Sequence, residues 1–228
     1  MKTETKSDSI PMQYREGKTA FMGMDIKVDE RVLIPRPETE LLVEVAGDIL
    51  KQIHRDNVYI AEVGTGSGAV AIALAKLIDN ANIVAADISR DALVIAAENV
   101  DRFDKNGQIK LVHSDVFSFF SQDFCGKFDA IVSNPPYVSE NDYGALDEWV
   151  LAEPKTALYG GPEGMDILKK IISESMELLS PGGFVALEIG YDQSEKVKKE
   201  LRANDFIEIK SFKDFNGHER VIVGRKSG

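Results

Sequence analysis

From residue 57 onward, short apolar runs alternate with longer stretches whose apolar residues recur at helical spacing. Val58 to Val63, Asn82 to Ala86, Ile109 to His113, Phe128 to Val132 and Phe184 to Ile189 are compact and rich in β-branched residues, as strands buried on both faces are. The stretches between them predict helices from the glycine run to about Ile78, from about Asp91 to Asp101, from Met165 to Leu179 and from about Gln193 to Ala203. Alternating strands and helices predict an α/β fold with a mostly parallel sheet and right-handed crossovers. Phe206 to Phe212 and Arg220 to Gly224 have no helical stripe between them, so the last strand should pair antiparallel, making seven in all. Pro181-Gly182-Gly183 reads as the turn leading into the fifth strand.

Ahead of this block the pattern loosens. Phe21, Met24, Ile26, Val28 and Val32 alternate with polar residues, which predicts a β-hairpin over Phe21 to Leu33 turning at Asp29-Glu30. Ile34-Pro35-Arg36-Pro37-Glu38-Thr39-Glu40 is a stiff lead-in to a helix. Pro37 suits its first turn, Glu38 and Glu40 suit the positive end of its dipole, and Leu41, Leu42, Val45 and Ile49 form its stripe. A well-capped helix explains all of that run except Arg36. The expected division is a disordered tail (1–12), a hairpin with its lead-in segment (13–36) and a single α/β domain (37–228).

Composition narrows the function classes. At 228 residues and 43% hydrophobic, the chain can bury one ordinary core. A net charge of −11 argues against a phosphate-neutralising surface, so no stable nucleic-acid binding is expected. No apolar run approaches the roughly 18 residues of a membrane span, and the polar start lacks a signal-peptide core. A cytoplasmic, monomeric protein is expected. One cysteine (Cys125) and three scattered histidines (His54, His113, His218) give no metal-ligand spacing.

The chemistry gathers at strand ends. Ser133-Asn134-Pro135-Pro136-Tyr137-Val138 follows the fourth strand, and two prolines cannot continue it. Asn134 is pushed out of the α region by the proline after it, leaving its amide at a carboxyl end, where open α/β sheets bind ligands. An amide, unpartnered proline carbonyls and an aromatic ring suit a planar N–H₂ group. Taken alone, the stretch equally suits a strand-ending loop with a satisfied Asn and a packed Tyr. Glu62-Val63-Gly64-Thr65-Gly66-Ser67-Gly68 is a glycine turn between strand and helix, fit for a ligand's phosphates or for a tight connection. Asp87 ends the next strand, where it can accept from two ribose hydroxyls. Asp115 ends the third and can meet an exocyclic adenine amine, with Val116 and Phe117 beside the ring. A dinucleotide fold explains the glycine turn and Asp87 but not the Asn-Pro-Pro-Tyr stretch.

Together the glycine turn, Asp87 and Asn134-Pro135-Pro136-Tyr137 resemble class I S-adenosylmethionine-dependent methyltransferases acting on a planar nitrogen. Ile34-Pro-Arg-Pro-Glu-Thr-Glu-Leu-Leu-Val, Glu153-Pro154 with Ala157-Leu158, and Gly217-His218-Glu219-Arg220-Val221 sharpen this to the HemK family. Those are protein-(glutamine-N5) methyltransferases of peptide-chain release factors, and the likeness runs from about Gln13 to Gly224. The resemblance implies S-adenosylmethionine as cofactor, held by Glu62, Gly64, Thr65, Gly66, Ser67, Gly68, Asp87, Ile88, Asp115, Val116 and Asn134. It implies Asn134, Pro135, Pro136 and Tyr137 as the catalytic and acceptor-binding stretch. Arg36 and Glu38 are expected to face the active-site mouth and bind the substrate, because the stiff Pro35-Arg36-Pro37 segment has no other evident purpose. The acceptor is expected to be the glutamine of a release factor's GGQ motif. A ribosomal-protein glutamine or an exocyclic amine of a nucleic-acid base is the alternative. Family members usually carry a helical domain before the hairpin; about a dozen residues precede Gln13 here, so that domain is expected to be missing.

Overall fold

The computed structural model describes residues 10–120 and 122–228, so most of the expected tail lies outside the described residues. Pro11 is buried and Met12 opens a short helix, α1 (Met12–Glu16), across the boundary drawn between the expected tail and the hairpin segment. Gly17 ends it in the left-handed region, and the Tyr14 hydroxyl donates to the Val32 carbonyl at 2.5 Å.

The hairpin is real but earlier than its alternation suggested. Strands β1 (Lys18–Phe21) and β2 (Met24–Lys27) turn at Met22-Gly23, not at Asp29-Glu30. Met22 and Gly23 have φ of 48° and 70°, the two left-handed residues that match a two-residue loop to strand twist. The later alternation, Val28 and Val32, belongs to an irregular segment that buries the same side.

Then follow α2 (Pro37–Leu50), β3 (Val58–Val63), α3 (Ala69–Leu77), β4 (Ala81–Asp87), α4 (Arg90–Arg102), β5 (Ile109–His113) and β6 (Phe128–Ser133). Three single-turn helices, α5 (Glu140–Tyr143), α6 (Glu148–Leu151) and α7 (Lys155–Leu158), cross the loop after β6. The chain closes with α8 (Asp166–Leu178), β7 (Leu179–Glu188), α9 (Ser194–Ala203), β8 (Ile207–Lys213) and β9 (Glu219–Arg225).

The seven-stranded sheet has the order β5-β4-β3-β6-β7-β9-β8, with β9 antiparallel to both neighbours and the rest parallel. Alternate residues of each strand serve two cores. Ala130 and Val132 face the layer of α2, α3 and α4, whereas Ile131 faces α8 and α9. Pro181-Gly182-Gly183 lies within β7 rather than ahead of it. Gly182 (φ 75°) and Gly183 let the strand bulge past β6, and a Cβ on Gly183 would stand 2.9 Å from the Phe128 carbonyl.

The chain winds outward from β3 through β4 to β5, then returns to place β6 on the other side of β3. That reversal opens a crevice beyond the carboxyl ends of β3 and β6. Pairing of Val63 with both Ala86 and Ser133 brings the glycine turn, Asp87 and Asn134 to one rim.

Candidate active site

At this rim lies a cavity of about 420 Å³ lined by Gly64, Gly66, Asp87, Asp115, Asn134 and Pro135 among others. The glycine turn forms its floor. Gly64, Gly66 and Gly68 have φ of 74°, 54° and 81°, and a Cβ on Gly66 would meet no protein atom within 4 Å. That space belongs to the cavity, so the turn brings bare backbone up to whatever fills it. Asp87 Oδ2 accepts from Gly66 N and Oδ1 from Ser89 N, both at 2.8 Å. Burial pushes its carboxyl up, and those backbone N–H groups oppose the rise. Each oxygen keeps a lone pair, as a diol partner requires.

Glu62, Thr65, Ser67 and Gly68 stand behind the cavity wall. Thr65 donates to Glu62 Oε2 at 2.6 Å, and full burial pushes the Glu62 carboxyl up to about 7. Asn99 ties this support to the hairpin. Its Oδ1 accepts from Lys27 N at 2.9 Å, and its Nδ2 donates to Lys27 O at 3.0 Å and Ser67 O at 2.9 Å.

Across the cavity, Val116 is held at φ 50°, a strained conformation for a β-branched residue. Ser114 stabilises it by donating to the Val116 carbonyl at 2.9 Å and accepting from Phe119 N at 3.0 Å. Val116, Ile88 and Ile167 supply apolar lining, while Asp115 sits at the edge with one oxygen 3.0 Å from Lys170 Nζ. A diol acceptor, an amine acceptor with apolar neighbours, and a bare glycine turn fit the ribose, base and chain of a nucleoside cofactor.

Asn134 is aimed by a residue whose chemistry was not anticipated. Its Nδ2 donates to Thr39 Oγ1 of α2 at 3.0 Å, which leaves Oδ1 as the amide's outward acceptor. Among the described residues, no donor reaches the Pro135 carbonyl. The stretch is fixed from behind: Val138 N donates to Leu158 O and Gly160 N to Val138 O, both at 2.9 Å. Gln193 Nε2 donates to Tyr137 O at 2.9 Å and to Gly164 O at 3.1 Å. Tyr137 packs inward and donates to Glu188 Oε1 at 3.3 Å; burial raises its phenol, and burial also pushes the Glu188 carboxyl up to about 7, against the lowering effect of the Tyr137 hydrogen bond.

Arg36 and Glu38 stand outside the cavity lining, though within electrostatic reach of Tyr137 and Glu188 respectively. Arg36 pairs with buried Glu153 and lies 5.5 Å over the Trp149 ring. Glu153 Oε2 also accepts from Ile34 N at 3.0 Å, so one carboxylate clamps the lead-in segment to the loop after β6. Thr39, Glu153, Gln193 and Glu188 were missed as supporting residues. Thr39 and Glu153 lay inside stretches already singled out, but only tertiary contact reveals their partners.

The sequence profile described as the methyltransferase small domain matches residues 39–163. A protein of Streptococcus pneumoniae named release factor glutamine methyltransferase is 42% identical over 215 residues, covering 93% of this chain and 74% of that one. A protein of the same name from Fusobacterium nucleatum is 37% identical over 218 residues; the match covers 95% of this chain and only 60% of the relative. A crystal structure titled protein-(glutamine-N5) methyltransferase (release factor-specific), from Alicyclobacillus acidocaldarius, superposes with a TM-score of 0.53 at 26% identity. It covers 89% of this chain and 100% of that chain.

Proposed function

The chain belongs to the family of release factor glutamine methyltransferases, and from that premise we propose that it methylates N5 of the GGQ glutamine in a peptide-chain release factor, with S-adenosylmethionine as donor. The observation that carries this reading is the arrangement at the end of β6. Asn134 has its Nδ2 committed to Thr39, so Oδ1 is turned outward beside the Pro135 carbonyl, which has no partner among the described residues, at the rim shared with the glycine turn. Two acceptors held on a stiff backbone match the two N–H bonds of a primary amide.

When bound, the cofactor supplies an electrophilic methyl group on a sulfonium; Gly64, Gly66, Asp87 and Asp115 are the residues that would hold it. The acceptor nitrogen is a weak nucleophile because its lone pair is conjugated with the carbonyl, on the scale of the ~18–20 kcal/mol amide rotation barrier. Hydrogen bonds of about 1–3 kcal/mol each cannot remove that conjugation. Asn134 Oδ1 and Pro135 O instead orient the N–H₂ group and favour its pyramidal form as the bond to carbon develops. Alignment contributes up to about 7–11 kcal/mol more. No base is needed before attack; the nitrogen's surplus proton leaves to solvent afterwards.

The test is incubation of the chain with methyl-labelled S-adenosylmethionine and, separately, a release factor, ribosomal proteins, RNA and DNA, with mass spectrometry to locate the label. Label on the GGQ glutamine is expected. Asn134→Ala should lower single-turnover transfer by about 100-fold or more while cofactor affinity changes only a few-fold. Label on nucleic acid or a ribosomal protein alone would overturn the reading.

A further inference from the structure

Trp149, the single tryptophan of the chain, lies half in solvent at 46% exposure. The Arg36 guanidinium carbon stands 5.5 Å from the centre of its ring, so one face is covered by a cation that is itself paired with buried Glu153. That clamp closes a corner of the cavity. Leu33 and Pro154 both line it, and their chain neighbours are joined by the hydrogen bond from Ile34 N to Glu153 Oε2 at 3.0 Å. Arg36 and Trp149 are not among the lining residues, so the ring stands just outside the rim. The first turn of α2 ties it to the acceptor stretch. Thr39 N donates to the Arg36 carbonyl at 3.0 Å, and Thr39 Oγ1 accepts from Asn134 Nδ2 at 3.0 Å. Arg36 and Thr39 are roughly 5 Å apart along the helix axis, so one short rigid segment holds both Trp149 and Asn134.

We propose that Trp149 is a positioning residue for the acceptor: its open face is the surface on which the acceptor backbone beside the methylated glutamine lies. The inference rests on the acceptor reading above. A glutamine whose amide meets Asn134 leaves its own backbone at the cavity rim, and the flanking residues extend from there by about 3.3 Å each. The glycines of a GGQ motif carry no Cβ, so their peptide planes lie flat against an indole where a larger residue would be held off. Tryptophan suits this task because it offers a large apolar face with few rotatable bonds, and Arg36 already fixes the ring. Asp147 and Glu148, exposed and outside any ion pair among the described residues, set the charge of the occupant. An acceptor segment with basic flanks complements them, and one with acidic flanks is repelled. A contact this far from the reacting atoms acts equally on bound acceptor and transition state, so it registers in KM rather than in kcat.

With one tryptophan in the chain, indole emission reports on this ring alone. A tryptophan-free GGQ peptide with lysine flanks, titrated onto the wild-type chain loaded with S-adenosylhomocysteine, should lower the acrylamide quenching constant of Trp149 by about twofold or more. Trp149→Ala should raise the KM for that peptide about 10- to 30-fold, with kcat and cofactor affinity within threefold, and Trp149→Phe should stay within about fivefold of wild type. If the ring only props Arg36, Trp149→Ala lowers the urea midpoint and leaves KM unmoved. The quenching measurement uses the wild-type protein, so it decides the matter even where Trp149→Ala does not fold. Methylation of the peptide with Trp149 left unprotected, or a KM within threefold in folded Trp149→Ala, would overturn the inference and leave the acceptor reading standing; so would a preference for glutamate-flanked peptide over lysine-flanked. Absence of methylation on both the peptide and a whole release factor would refute the acceptor reading, and this role with it.

Discussion

Gly160→Ala isolates the support of the Asn134-Pro135-Pro136-Tyr137 stretch from everything else in the site. Gly160 sits in the turn that crosses behind it, donating to Val138 O and accepting from Asp166 N, both at 2.9 Å. A Cβ there would stand 2.4 Å from Pro136 O, 2.8 Å from Tyr137 Cα and 3.0 Å from Gly164 O. All three are backbone atoms, so no flexible side chain can yield. Either the 160–164 turn or the Pro136–Tyr137 segment must move by roughly 0.6 Å or more to reach the closest approach a real Cβ shows. Gly160 is not in the left-handed region, unlike Gly161 (φ 95°) and Gly164 (φ 68°), so alanine brings no backbone strain of its own. Overpacking of this kind costs about 1–3 kcal/mol of stability. A displacement approaching 1 Å at a positioning element costs on the order of 100-fold in rate, so a loss of about 10- to 100-fold is expected. Single-turnover methyl transfer at saturating cofactor is the assay, with calorimetric cofactor affinity expected within threefold. Gly107→Ala is the control, because a Cβ there meets nothing within 4 Å. Transfer within threefold of wild type in a folded Gly160→Ala protein would refute the claim that this turn sets the position of the strand-end stretch.

Glu62→Gln should change stability with pH. The folded carboxyl is pushed up to about 7 from an ordinary 4.5, so its contribution is intact below about 4.5 and is lost as pH rises through 7. At pH 8 the buried charge costs about 3 kcal/mol, so the glutamine variant should gain on wild type between pH 5 and pH 8 in urea unfolding; a gap that stays constant would contradict this. Asp87→Ala should weaken cofactor binding by about 1–3 kcal/mol in calorimetry, and unchanged affinity in a folded variant would remove Asp87 from the site. Arg36→Met leaves Glu153 buried with only the Ile34 N–H, at a cost of about 2–4 kcal/mol by chemical denaturation. Adding Glu153→Gln should recover part of that loss, and no recovery would mean that charge pairing is not what Arg36 contributes.

Local chemistry was enough to read most of the scaffold. Apart from the start of β7, the β-branched runs ended within a residue or two of the observed strands, because a strand buried on both faces has no choice but to be apolar along its length. The positions of Gly64, Asp87, Asp115 and Asn134 at four strand ends were legible for the same reason: each polar or glycine residue stands where an apolar run stops. Missing from the local signal were the hairpin turn, where Met22 enters the left-handed region beside Gly23, and the bulge within β7. In both places backbone pairing overrode the apparent period.

The sequence by itself determined which groups stand at the rim. Only the tertiary structure decided how they are aimed. Thr39 lies 95 residues from Asn134, Glu188 lies 51 from Tyr137 and Glu153 lies 117 from Arg36. No periodicity relates residues so far apart. Their partnership arises because α2, the loop after β6 and the end of β7 converge at the crevice where the sheet reverses direction. In that buried place every donor must find an acceptor, and the hydrogen-bond pattern follows from the packing.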